Sequence, residues 1–444
     1  MIACESLMQR VRAAELIKRS GRVRRVAGLS VESDGPVCRL GELCHIETAN
    51  GESLDAEVIA IGDGKVTLMP YESVTGITAG SLVRATGVLP RTAVSNELLG
   101  RVIDGLGKPL DGKPLNLTSL MLKSRDLYPP PLNPLQRAGI DTVLETGINA
   151  IDALFTIGCG QRIGIFAGSG VGKSTFLGML AANVKADVMV VALIGERGRE
   201  VQAFVQENLL RQGHERTIVV AATSDQPPLV RRRAAYLATS IAEYFRDEGK
   251  HVCLLMDSVT RVAMAQREIG LATGELPTAR GYTPSVFTEL PRFLERPGEL
   301  TSGGSITGIY TVLVDGDDFD EPISDAVRAT LDGHIVLSRS IAHRGRYPAI
   351  DLTRSVSRLA SSLMTSAERK VASDVSQAIA QYETSRDLIE LGAYKPGSNV
   401  GLDTAVKIAT EAERIFTQSP DSNRSRQSVL EELTRLVQAK ADKK

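Results

Sequence analysis

The chain has 444 residues, 43% of them hydrophobic and 24% charged, an ordinary globular composition in a length that calls for two or three domains rather than one core. A net charge of −1 excludes a global field that would pull the protein onto nucleic acid or an anionic membrane. The five scattered cysteines form no CxxC pair, no signal peptide opens the chain, and no apolar run approaches about eighteen residues, so a cytoplasmic protein without disulfides, structural zinc or a spanning helix is expected.

In chain order, residues 2–19 predict a short amphipathic helix, with Leu7, Val11 and Ala14 on one face and Met8 beside them. A basic run from Arg10 to Arg25, opposed only by Glu15, accompanies it. The segment reads either as a solvated helix or as a docking helix for a partner with weak attraction to anionic lipid. From about 22 to 90, short runs broken by Gly and Asp predict five or six strands and a small β-barrel. Tyr71 is the single aromatic of the first ninety residues, which counts against base stacking and favours a scaffold or an oligomer collar. LGRVIDGLGKPLDGKPL (99–115) and YPPPLNP (128–134) are connectors.

From about 145 to 345, apolar runs alternate with helical stretches: RIGIFA (162–167), DVMVVALI (187–194), TIVVAA (217–222), HVCLLMD (251–257) and SITGIYTVLV (305–314). This predicts a mainly parallel sheet covered on both faces, with ligands at the carboxyl ends of its strands. Beyond about 365 the pattern is helical, interrupted by the turn AYKPGSNVG (393–401). The divisions expected are a partner-binding helix over 1–20, an oligomerisation barrel over 21–90, a P-loop domain over 91–360 and a helical domain over 361–444.

RIGIFAGSGVGKST places a strand, a glycine-rich turn and a helix start in P-loop order. Backbone N–H groups from Gly168, Ser169, Gly170, Val171 and Gly172 would curl around a phosphate, aided by the helix N-terminus at Lys173, Ser174 and Thr175. Lys173 would neutralise β- and γ-phosphate oxygens, and Ser174 would ligate Mg²⁺. Ala167 stands where the first glycine is usual, tolerable if it ends the strand. Asp257 ends HVCLLMD, and in a strand beside the P-loop strand it would hold the same Mg²⁺. Glu196 and Arg197, in LIGERGRE, would polarise the attacking water and meet the γ-phosphate, or simply form an exposed charged turn. Arg358, in SVSRLASS, is either a surface residue or an arginine finger reaching a neighbour's γ-phosphate. Tyr347 is either core or a platform for adenine.

Together FAGSGVGKST, LIGERGREV, LLMDSVTRVAMAQRE, GYTPSVF and DGHIVLSRSIA resemble the rotary-type ATPases, the group of the ATP synthase β subunit, over roughly residues 20–420. IGERGREV and AYKPGSN are most similar to the type III protein-export branch, flagellar first and virulence injectisome close behind. The resemblance implies an α/β fold with a P-loop (RecA-like), mainly parallel sheet core, an N-terminal β-barrel and a C-terminal helical domain. It implies ATP and Mg²⁺ as cofactors, with catalytic Glu196, Lys173, Arg197 and Arg358 and adenine-stacking Tyr347.

It also implies a homo-hexamer, a stator-like regulator on the N-terminal helix, and a stalk-like coiled-coil protein in the pore near 388–403. Export chaperone–substrate complexes and a membrane export gate are the further partners, with the protein peripheral at the inner face of the cytoplasmic membrane. AYKPGSNVG lacks the acidic run of the ATP synthase β subunit, which disfavours a rotary membrane complex. An RNA-translocating hexameric ATPase shares the core and is the alternative from another class, but the aromatic-poor barrel argues for no nucleic-acid partner.

Overall fold

The computed structural model describes residues 18–115, 123–209, 214–314 and 318–438. The amphipathic helix expected over 2–19 lies outside them except for Lys18 and Arg19. Six strands form the barrel: β1 (Ser20–Ala27), β2 (Ser30–Asp34), β3 (Leu43–Glu47), β4 (Ser53–Gly62), β5 (Lys65–Pro70) and β6 (Leu82–Ala85). They close in the order β1-β2-β5-β4-β3-β6, which leaves no free edge. Alternation puts Val23, Val31, Ile46, Val58, Leu68 and Val83 inside. The end of the basic run therefore belongs to a strand rather than to a docking segment. Arg22, Arg24 and Arg25 face outward on β1, and the last two lie 3.7 Å from Asp34 and Glu32 respectively.

After the barrel, β7 (Arg91–Val94) pairs with β9 (Lys123–Asp126), β8 (Val102–Asp104) joins the large sheet, and β10 (Val143–Leu144) pairs with β11 (Ile157–Gly158). The large sheet then adds β12 (Arg162–Ala167), β13 (Val188–Ile194), β14 (Thr217–Ala222), β15 (His251–Asp257), β16 (Gly298–Glu299), β17 (Ser305–Leu313), β18 (Gly333–Leu337) and β19 (Val356–Ser357). Its order is β19-β18-β12-β17-β15-β13-β14-β8, parallel except at β19 and at β16, which joins β17. The five apolar runs read from the sequence are its five central strands.

Because side chains alternate, β13 feeds two cores. Val188, Val190, Ala192 and Ile194 enter one, and Met189, Val191 and Leu193 enter the other.

The principal helices are α1 (Asn149–Leu154), α2 (Lys173–Asn183), α3 (Pro228–Asp247), α4 (Val259–Ala272), α5 (Ser366–Glu390), α6 (Val400–Phe416) and α7 (Arg426–Gln438). A capping box of Thr365 and Glu368 starts α5. On α6, Leu402, Ala405, Ile408, Ala409, Ala412 and Ile415 make one buried stripe. From Ala405 onward that stripe joins the second core with Leu144, Ile148 and Ile151, so the C-terminal helices and the sheet share one apolar interior. Among the described residues, no helix is long and apolar enough to cross a membrane.

Candidate active site

The site gathers at the carboxyl ends of the parallel strands. Ala167 is the last residue of β12, buried between Leu313 and Leu337 of the flanking strands, so nothing at that position calls for glycine. Positive φ is confined to two P-loop glycines, Gly170 at 78° and Gly172 at 83°, and α2 starts immediately after. Gly172 also keeps space clear, because a Cβ there would stand 3.1 Å from the Tyr347 ring. Tyr347, 44% exposed, is thus an open aromatic surface against the phosphate loop rather than a core residue.

Glu196 follows Gly195, whose φ of 68° turns the chain out of β13. A Cβ on Gly195 would meet the Arg261 side chain at 2.8 Å, so glycine here lets the turn and an arginine of α4 lie against each other. Glu196 is buried at 8% exposure, and its Oε1 makes no hydrogen bond. Lys173 Nζ stands 3.5 Å from that oxygen and donates to Asp257 Oδ1 at 2.5 Å. Thr311 on β17 also donates to Asp257 Oδ1, at 2.6 Å. Burial first, then the nearby Asp257 charge, pushes the Glu196 carboxyl up to about 7, with Lys173 pulling the other way.

One expected adjacency is corrected. The Asp257 strand is not beside the P-loop strand; β17 runs between them. The gap is filled chemically by Thr311, whose hydroxyl ties the middle strand to Asp257. Thr311 and Arg261 are the site residues that sequence reasoning missed. Arg261 carried a faint signal, one helical turn past Asp257 in DSVTR. It is partly buried, its Nε has no hydrogen-bond partner, and its Nη1 donates to Met264 Sδ at 3.6 Å. Thr311 gave none, since a threonine in a strand is ordinary.

Ser174 and Thr175 are exposed on the first turn of α2. Ser174 and Asp257 offer the hard oxygen donors that suit Mg²⁺, and a buried carboxylate oxygen without a hydrogen bond lies close by on Glu196. Among the described residues no group of three His, Cys, Asp or Glu side chains converges as a metal cage. Arg197 is exposed, with its guanidinium 3.7 Å from Glu200.

Arg358 is not brought to this cluster. Its N–H donates to the Asp332 carbonyl, and the Asp332 N–H donates to that of Arg162. Arg358 is therefore level with the start of β12, while the P-loop begins at its end. The length of that strand separates them, roughly 17 Å at about 3.3 Å per residue. The side chain is exposed beside the edge strand β19, and its Nη2 donates to the Arg328 carbonyl at 3.3 Å.

Three family profiles match the chain in succession. The β-barrel domain of the ATP synthase alpha/beta family matches residues 23–87, and that family's nucleotide-binding domain matches 147–357. The T3SS EscN ATPase C-terminal domain matches 364–435. The flagellum-specific ATP synthase of Bacillus subtilis (strain 168) is 49% identical over 94% of this chain and 95% of its own. A solved structure of the assembled ATPase EscN from the type III secretion system of enteropathogenic E. coli is 43% identical, with a TM-score of 0.88 over 94% of this chain and 100% of that one. The same ATPase in complex with its central stalk EscO is 42% identical, with a TM-score of 0.85 at the same coverage.

Proposed function

The chain belongs to the ATP synthase alpha/beta family, in its type III export branch, and we propose on that footing that it is a ring-forming ATP hydrolase energising flagellar protein export. One observation carries the mechanism: Glu196 lies buried beside the P-loop lysine, while Arg358 stands a strand's length from its own P-loop. Each chain thus holds both halves of a site that two neighbouring copies complete.

The backbone N–H groups of residues 168–172 cradle the phosphates, and Lys173 and Arg261 meet their charge. Ser174 and Asp257 would hold Mg²⁺, which when bound neutralises charge between the β- and γ-phosphates. Thr311 fixes the Asp257 carboxylate. Glu196 orients and polarises the attacking water; its raised proton affinity makes it a better base near neutrality than an ordinary carboxylate. Arg197 contacts the γ-phosphate at the mouth of the site. Tyr347 stacks on adenine, and Arg358 stabilises the transferring phosphoryl group of the next copy.

The exposed tip between α5 and α6 carries Leu388, Leu391 and Val400, three large apolar side chains in solvent. This supports a coiled-coil stalk in the pore of a hexameric ring, packing apolar residues on that tip. Residues 2–19 bind a stator-like regulator, and chaperone–substrate complexes and a membrane export gate complete the partners at the inner face of the membrane. The injectisome is the second reading, favoured by the 43% identity to EscN over nearly the whole chain. Deleting the gene separates the two: loss of flagellin export and motility is expected, and loss of effector secretion with motility intact would establish the injectisome.

The shared site is tested by mixing Glu196→Gln and Arg358→Ala subunits, each inactive alone. Mixed rings should regain ATPase activity, because some interfaces then pair an intact Glu196 with an intact Arg358. Mixtures no more active than their parts would sink the shared site.

A further inference from the structure

Two ties join the Tyr347 segment to the C-terminal helices. Arg346 donates to Glu413 Oε1 on α6 at 2.6 Å. The Gln418 N–H, just beyond α6, donates to the Tyr347 carbonyl at 2.9 Å. The Gln418 side chain is occupied elsewhere. Its Oε1 accepts the Asn149 N–H at 2.7 Å, and its Nε2 donates to the Gly147 carbonyl at 3.1 Å. Asn149 returns the contact, donating from Nδ2 to the Ile415 carbonyl at 2.7 Å.

The 146–149 turn that Gln418 grips is itself braced. Asp152 accepts both N–H groups of Thr146 and Gly147 and the Thr146 hydroxyl. Gly147 lies against Asn183, the last residue of the P-loop helix, where a Cβ would come within 2.5 Å. Gln418 therefore touches, through one residue each, the Tyr347 loop and the far end of α2. A buried amide at 6% exposure costs desolvation that an apolar residue would not, and here both of its polar ends are used to hold backbone in register.

We propose that Gln418 is a positioning residue for nucleotide recognition. It fixes the Tyr347 backbone relative to the P-loop helix so that the ring stays against Gly172. It thereby makes the end of α6 the element through which the C-terminal hairpin reaches the base. The proposal rests on Tyr347 being the base platform.

The test measures KM and kcat for ATP, and the inhibition constant of inorganic tripolyphosphate, on the full chain and on Gln418→Ala, Gln418→Met and Tyr347→Ala. Gln418→Ala should raise KM for ATP about five- to tenfold, as losing one or two buried hydrogen bonds would. Its kcat should stay within about twofold, and tripolyphosphate, which has no base, should inhibit as before. Gln418→Met fills nearly the same volume and loses both side-chain bonds without burying a charge. It should show a rise of the same kind, and it decides the matter if the alanine variant does not fold.

Tripolyphosphate binding lost in parallel with ATP would reduce Gln418 to a packing residue and overturn the proposal. So would an unchanged KM in both Gln418 variants when Tyr347→Ala raises it, a result that leaves the platform standing. An unchanged KM in Tyr347→Ala would remove the platform, and the proposal with it.

Discussion

The two ends of the same parallel sheet are built differently. At the carboxyl end, Lys173, Glu196 and Asp257 converge on one another, and glycines at 170, 172 and 195 give the backbone turns that let them. At the amino end, Arg162 is forked onto Asp332, and Arg358 leaves the sheet edge into solvent. The first end has buried charges gathered on one another, and the second has a tethered backbone and an exposed cation. A site that one chain completed alone would put both at one end; on the proposed reading, dividing them between ends makes the ring a condition of turnover.

The sharpest way to break this contrast is at the amino end. Arg358→Ala should lower kcat by about 10³ or more, the usual worth of an arginine supplied across an interface, with ATP affinity little changed. A Kd for ATP raised in step with the fall in kcat would place Arg358 in its own chain's binding site. Next comes the carboxyl end. Glu196→Gln should cost about 10² to 10⁴ in kcat, the range for a positioned general base, while ATP binding and ring assembly persist. Turnover near the wild-type rate would remove Glu196 from its role.

The acid–base state of Glu196 sharpens the second case. A base must be unprotonated, and its proton affinity is raised, so activity is lost as pH falls through the folded-state value rather than at ordinary carboxylate pH. Measured across pH, kcat/KM should be half-maximal near the value of about 7. Below it, kcat/KM should drop about tenfold per pH unit. An acid limb near 4 would mean that the carboxylate is not buried in the working enzyme.

The carboxyl end was largely legible in the sequence because its parts are contiguous words: a strand, a glycine turn and a lysine, or a strand ending in Asp257 or leading to Glu196. Period and punctuation are local, and local signals survive without a fold. What escaped was lateral. Nothing in HVCLLMD says that β17 separates it from the P-loop strand, and so nothing called attention to Thr311, whose role exists only through that neighbour. Arg261 was hidden similarly, since its place beside Gly195 depends on how α4 packs across the turn. Arg358 was open to two readings because a finger and a surface arginine have the same local sequence; strand register is what sets it apart from its own P-loop.

The smallest expected effect probes how the amino end holds that arginine. Asp332 receives the Arg162 N–H, Nε and Nη2, each at 3.0 Å, and its own carbonyl accepts the Arg358 N–H. Asp332→Asn leaves the carbonyl in place but removes the charge from a partly buried, bidentate pair, which should cost about 1–3 kcal/mol of stability, read as a lower midpoint of thermal unfolding. If Arg358 serves only the neighbouring copy, loosening its base should lower kcat about three- to tenfold while KM stays unchanged, since each chain's own phosphate loop lies at the far end of β12. In rings mixed with Glu196→Gln subunits, the loss should follow the chain that donates the arginine rather than the chain that binds ATP. A raised KM with kcat preserved would instead mean that the two ends of the sheet communicate within one subunit, and the division of labour between them would fail.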